Sequence, residues 1–210
     1  MVKFMKQAAA ITLTGIALTG VAADLPLPTG TSGQAIPKAI IADAHGVSHQ
    51  PLSPAGQKAT VLFFVMAECP IANTFAPEIN RIVADYAARG VRSYLIYAED
   101  DLLPKAARKH AQDHQFKMPV LLDRDHVLAK FVHATVSPEV AVLAPDNTVL
   151  YRGRIDDRAA AFGKRRVQPS KRDLREALDA VLDGKPVPTR FTKAVGCYLT
   201  INENSKSHEN

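Results

Sequence analysis

Two stretches of the chain are mainly apolar. Ala59–Met66 reads Ala-Thr-Val-Leu-Phe-Phe-Val-Met, a continuous run, and Val91–Tyr97, with Arg92-Ser93 near its start, is the second. Their length and their β-branched and aromatic content predict strands buried on both faces. Between them the pattern changes to a period of three and four. Phe75, Ile79, Ile82, Val83 and Tyr86 mark one face of a helix, and Gly90 closes it as a C-cap. Pro104–His114 predicts a helix with proline in its first turn, where the missing N–H costs nothing. Pro119–Leu122 reads as a short strand and His126–Phe131 as a short helix. Val140–Leu143 and Thr148–Arg152 flank Pro145-Asp146-Asn147, an antiparallel hairpin with a polar loop. Asp173–Leu182 carries Leu174, Leu178, Val181 and Leu182 on one helical face, with Gly184 after it. Upstream, Lys38–Asp43 and Val47–Leu52 form a small hairpin around His45-Gly46. Strands alternating with helices, then a hairpin and a helix, predict an α/β protein. Its central mixed sheet is covered on both faces. No internal repeat and no G-x-G-x-x-G motif occurs.

Composition narrows the class. The chain has 210 residues, 47% apolar and 22% charged, which fits one globular domain and excludes a disordered or collagen-like chain. Two cysteines are too few for a disulfide-scaffold miniprotein or an all-cysteine metal site. At the start, Lys3 and Lys6 precede an uncharged run from Ala8 to Ala22, with Val21 and Ala23 as the small residues of a cleavage pattern. The expected organisation is a signal peptide over 1–23, a flexible lead-in over 24–37, a domain over 38–185 and a tail over 186–210. Membrane contact is expected only if the signal is left uncleaved as an anchor. The net charge is +5, and +3 once Lys3 and Lys6 leave with that segment. Export places both cysteines in a compartment where disulfides persist, a bacterial periplasm.

Cys69 follows the first buried strand and precedes the helix, a strand-to-helix corner. A sulfur there faces unpaired helix N–H groups and the positive end of the helix dipole, and both favour a thiolate. Glu68 opposes that effect if its carboxylate points at the sulfur. An inert buried cysteine is the competing reading.

The strand Val61–Met66, then Cys69-Pro70-Ile71-Ala72, then Pro77 resembles the active-site corner of thioredoxins, which carry C-x-x-C and a helix proline eight residues after the first cysteine. Pro138, in Thr135-Val136-Ser137-Pro138, stands where that family has a cis-proline beside the reactive sulfur. The resemblance covers about Lys38 to Gly184 and implies a thioredoxin-like fold with an N-terminal hairpin extension. Within the superfamily the chain looks most like exported redoxins of the peroxiredoxin-like branch. That similarity rests on Glu68-Cys69-Pro70 with Asn73 and Pro77, on Tyr151-Arg152-Gly153-Arg154-Ile155-Asp156-Asp157, and on the late Gly196-Cys197. Two departures stand out. Ala72 replaces the second C-x-x-C cysteine, and in peroxiredoxins that same position holds the peroxidatic cysteine. The standard peroxidatic triad is therefore missing.

Cys197 lies beyond the last helix and a linker with Pro186 and Pro188, on a tail long enough to fold back. It is a resolving thiol for Cys69, a permanent structural partner, or an unrelated thiol. As a permanent bridge it would contribute about 4–5 kcal/mol in the chain-entropy model. His110 and His114 have the i, i+4 spacing of metal ligands, but flanking Lys109 and Asp113 make a solvated face the expected reading. His126 or His133 could join Cys69 and Cys197 in a copper site, since soft ligands select Cu(I). Arg152–Arg175 holds nine basic residues against three acids. With Phe162 as the only aromatic between Tyr151 and Phe191 there is no stacking platform, so nucleic acid is excluded as a partner. The stretch is a solvated loop, or it docks on an acidic protein or anionic headgroups, with Arg154 and Asp156 as a possible structural pair.

The expected protein is an exported thiol–disulfide oxidoreductase or antioxidant redoxin. Cys69 is the nucleophile, Cys197 the second thiol and Pro138 the shaper of the substrate-facing loop, with no cofactor and no resident metal. Its partners are a thiol- or disulfide-bearing protein or a small oxidant. The alternatives are a copper-delivery module and a redox-silent scaffold with a lasting disulfide.

Overall fold

A computed structural model describes residues 39–52 and 56–201. The expected signal peptide and lead-in, and the end of the tail, lie outside them. Strand β1 (Ile41–Ala42) pairs antiparallel with β2 (Ser48–His49). Asp43 Oδ1 closes the turn by accepting from the N–H groups of His45 and Val47. This hairpin is shorter at both ends than the sequence predicts. Strand β3 (Ala59–Val65) is buried at every position because neighbours cover both of its faces. Helix α1 (Pro70–Ala87) starts with proline and runs through Pro77. It carries the chain over to β4 (Val91–Tyr97), parallel to β3, as a crossover must. Helix α2 (Pro104–Asp113) returns to β5 (Val120–Leu122), again parallel.

Helix α3 (Val127–Val132) leads to a two-residue strand β6 (Val136–Ser137) and then β7 (Glu139–Leu143). Strand β7 runs antiparallel to β3, and β8 (Val149–Gly153) antiparallel to β7. A small hairpin that the sequence pattern does not announce follows, β9 (Ala159–Ala161) with β10 (Lys164–Arg165). Helix α4 (Asp173–Leu182) and a final strand β11 (Cys197–Tyr198) complete the described chain. The central sheet has the order β5-β4-β3-β7-β8.

Alternation along β3 splits the core in two. Val61, Phe63 and Val65 pack with Phe75, Ile79 and Ile82 of α1 and Leu174 and Leu178 of α4. Leu62 and Phe64 pack on the other face with Leu128, Ala129 and Val132 of α3. The buried strand β3 thus delivers its carboxyl end, and Cys69 after it, to a fixed point between the layers. No helix among the described residues is long and apolar enough to cross a membrane.

Candidate functional site

Cys69 is the N-cap of α1, with extended backbone, and its Sγ accepts from the Ala72 N–H at 3.5 Å. The expected helix-end contact is therefore present, one turn into α1. Cys69 is only 1% exposed. It is covered from the far end of the chain: β11 pairs antiparallel with β6, placing Cys197 opposite Ser137. The Leu199 N–H donates to Thr135 O at 2.9 Å. This pairing sets Cys197 Sγ 2.7 Å from Cys69 Sγ, with both cysteines free. The Ser137–Pro138 bond is cis. The Ser137 carbonyl accepts from the Cys69 thiol at 3.1 Å, while Ser137 Oγ accepts from the Met66 N–H. Cys69, Cys197 and Pro138 are thus gathered at one place. Gly196 rests directly on the Ser137–Pro138 peptide: a Cβ there would lie 1.9 Å from Ser137 O.

The two sulfurs are not equivalent. Burial pushes the Cys69 thiol up, but hydrogen bonds from the Cys197 thiol and from the Ala72 N–H outweigh it, and the net shift is downward. Cys197 moves the other way, to about 11, through burial, the hydrogen bond to Cys69 and the charge forming on Cys69. Both directions favour Cys69 as the sulfur that carries the negative charge once the pair loses one proton. Such a pair can perform nucleophilic attack at Cys69 and later capture of the Cys69 sulfur by Cys197. The Glu68 charge acts on Glu99, which it helps to raise.

Around the sulfurs the structure adds groups that sequence reasoning missed. Glu99, two residues past β4, accepts from the Ala67 N–H at 3.2 Å. Burial, with the charges of Asp101 and Glu68, raises it to about 7. It lines a cleft of about 710 Å³ along Met66–Glu68 and Leu199. His110 corrects the expected solvated helix face. Its Nδ1 accepts from the Tyr97 hydroxyl at 2.5 Å, and its Nε2 donates to Asn73 Oδ1 at 2.9 Å. Asn73 Nδ2 in turn donates to Ala67 O at 3.1 Å. Burial, with the neighbouring His114, lowers His110 to about 4, so the ring is neutral and fixed in this tautomer. The chain Tyr97–His110–Asn73 therefore pins the loop that carries Cys69. Asn73 was legible from the sequence as part of the resemblance; its partners were not.

The other expected groups go elsewhere. His126 is fully buried, with Nε2 3.0 Å from Ala98 O and 2.9 Å from Asp100 Oδ1, and His133 is exposed at the C-cap of α3. Among the described residues, no group of three or more His, Cys, Asp or Glu side chains is placed to hold a metal. Arg154 and Asp156 do not pair with each other. Arg154 bonds Asp173 and Arg158 bonds Asp156, each at 2.8 Å, because the chain turns away from the sheet after Gly153.

A five-stranded mixed sheet with helices on both faces, a cysteine capping the first crossover helix and a cis-proline beside its sulfur define a thioredoxin-like fold. The chain belongs to the Redoxin family, whose profile matches residues 31–164. It is similar to an uncharacterized conserved protein from Geobacillus kaustophilus, at 25% identity and a TM-score of 0.72, over 86% of this chain and 96% of that one. A hypothetical protein from Sinorhizobium meliloti is 22% identical, with a TM-score of 0.66 over 79% and 91% of the two chains. Mycobacterium tuberculosis DsbF, in its mixed oxidized and reduced forms, is 19% identical, with a TM-score of 0.53 over 69% and 95%. These likenesses are of fold. No curated protein matches the chain.

Proposed function

We propose that the chain is an exported thiol–disulfide oxidoreductase of the peroxiredoxin-like branch that lacks the peroxidatic position. The observation that carries this reading is the polarised sulfur pair, a helix-capped Cys69 lowered and a Cys197 raised at 2.7 Å. Family membership and the mixed oxidized and reduced forms of DsbF agree with it. The Cys69 thiolate attacks one sulfur of a partner disulfide. A Cys69–partner bond forms, the partner's S–S bond breaks, and the second partner sulfur leaves as a thiolate. Cys197 then gives up its proton and attacks Cys69. The Cys69–Cys197 bond forms and the first partner sulfur leaves. The partner gains two electrons and the protein loses two; the reverse sequence oxidises a partner dithiol. Pro138 and Ser137 shape the wall on which the incoming sulfur must lie. Lys3, Lys6 and the uncharged run after them support a periplasmic address. With Ala72 at the peroxidatic place, peroxide turnover is expected to be weak.

Thiolate absorbance titrated in the reduced protein tests the pair. Two separate steps are expected, one below the unperturbed cysteine value of about 8.5 and one well above it. Cys69→Ser removes the lower step. Cys197→Ser accumulates mixed disulfides with partners that bring a disulfide, since the second attack is lost. Superimposed steps near the ordinary value, with no trapped adduct, would refute the proposal.

A further inference from the structure

The basic stretch from Arg152 onward is largely consumed inside the fold. Arg152 meets Glu139, Arg154 meets Asp173, Arg158 meets Asp156 and Arg166 meets Asp157. Arg172 and Arg175 share Glu78, and Arg175 also holds Asp85. Lys164 and Arg165 are different. Both are exposed on β10, and no carboxylate pairs with either among the described residues.

These two cations stand at the rim of an apolar groove of about 230 Å³. Its floor is Pro70, Ile71 and Phe75 from the first turns of α1, and its opposite wall includes Ala161 of β9. Pro70 is the residue after Cys69, so the groove begins beside the nucleophile. The guanidinium of Arg158 lies over the Phe75 ring at 4.8 Å from its centre. Its Nη2 is buried without a hydrogen-bond partner among the described residues. An apolar slot with positive charge at its rim is complementary to an apolar side chain joined to an anion. The volume holds one large side chain, not a folded element.

We infer that this groove selects the partner: it receives the segment flanking the partner polypeptide's cysteine, with an aliphatic or aromatic side chain against Ile71 and Phe75 and a carboxylate against Lys164 and Arg165. The inference rests on the thiol-exchange reading above and adds the substrate class. A polypeptide is the occupant because the groove lies within reach of an attacked cysteine yet is separate from the sulfurs.

The test uses the reduced full chain and synthetic peptides whose cysteine is activated as a 2-pyridyl mixed disulfide. Cys69 forms the bond to the peptide sulfur, the bond to the pyridyl sulfur breaks, and pyridine-2-thione leaves with a proton from solvent. A peptide with Leu and Glu beside cysteine should react about tenfold faster than one with Leu and Lys, and the gap should shrink with salt. Lys164→Glu with Arg165→Glu should reverse the order. Ala161→Trp, which fills the groove from an exposed position, should slow the acidic peptide about fivefold or more. Neutral 2,2′-dipyridyl disulfide should react equally with all three proteins.

Equal peptide rates in the native chain alongside normal reaction with dipyridyl disulfide would overturn the groove and leave the thiol chemistry standing. A preference that survives the double charge reversal would also overturn it. So would protection by decanoate without any peptide preference, which would mark a small-amphiphile site. No reaction even with dipyridyl disulfide would overturn the thiol-exchange reading and this inference with it.

Discussion

Gly196→Ala should unseat the tail and bare the nucleophile without substituting either cysteine. The added Cβ would lie 1.9 Å from Ser137 O, 2.5 Å from Ser137 C and 3.1 Å from Pro138 N. All three atoms are backbone, flanked by the buried strand β7, so no flexible side chain can give way. The tail must move instead. Strand β11 is held by its two-residue pairing with β6, by the Leu199 N–H bond to Thr135 O and by burial of Leu199, 8% exposed. Two or three hydrogen bonds at about 1 kcal/mol each and an apolar side chain at about 1.5–3 kcal/mol put its docking near 3–6 kcal/mol. Losing about half of that would raise the undocked population about tenfold to a hundredfold. The assay is alkylation of the reduced protein followed by peptide mass mapping, at a pH where Cys69 is ionised in both forms. Undocking also removes the Cys197 hydrogen bond that lowers Cys69. Cys69 should label about tenfold faster in the variant or more, while the melting temperature falls only slightly. Unchanged labelling of Cys69 would refute the idea that the tail shields it.

Three further outcomes follow from the surroundings of the sulfurs. Glu99 is raised to about 7 in the fold, so between the ordinary glutamate value and that pH the folded state binds the extra proton. Stability should fall as pH rises through this window, by about 1–2 kcal/mol after allowing for solvent screening. Glu99→Gln keeps an acceptor for the Ala67 N–H and should flatten urea-derived stability between pH 5 and about 8. Asn73→Leu leaves Ala67 O and His110 Nε2 without partners and should cost about 1–3 kcal/mol in denaturant unfolding; a neutral result would dismiss the pinning role of that chain. His110, lowered to about 4, contributes stability that is present above its unfolded value. That stability is lost as pH falls towards 4, and His110→Gln should reduce this acid sensitivity.

The central strands were legible because burial on both faces leaves a run that no amphipathic element produces. Val61–Val65 and Leu95–Tyr97 are all buried as expected. The corner at Cys69 was legible for the same reason: a buried strand followed by a helical period leaves one place for the turn. The hairpin β9–β10 was not. It has two or three residues a side, small or charged and largely exposed, so it carries no alternation. The pairing of β6 with β11 joins two-residue segments far apart in sequence, and only the Gly196-Cys197 pair hinted at it. His110 was misread because the buried face of α2 is made by Ala107 and Ala111. Alanines are too small to mark a face against Lys109 and Asp113. Glu99 gave no sign at all; its role depends on a strand end meeting a loop that begins over thirty residues earlier.

Moving the second thiol from the helix to the tail changes how the two sulfurs meet. In a C-x-x-C motif the second cysteine is carried by the same helical turn and is always within reach. Here 128 residues separate the pair, and closing so long a loop instead of a three-residue one costs the flexible chain about 3 kcal/mol more. The folded domain removes most of that cost by fixing both β6 and Cys69. What remains is the docking of β11 itself, so the effective concentration of Cys197 at Cys69 is set by a short strand, one buried leucine and a glycine that fits against a peptide bond. In the exchange proposed above, a partner reaches Cys69 while that strand is off, and capture by Cys197 waits until it returns. On that proposal, placing the second thiol on the tail ties each half of the exchange to opposite states of β11, which a local cysteine pair never has to do.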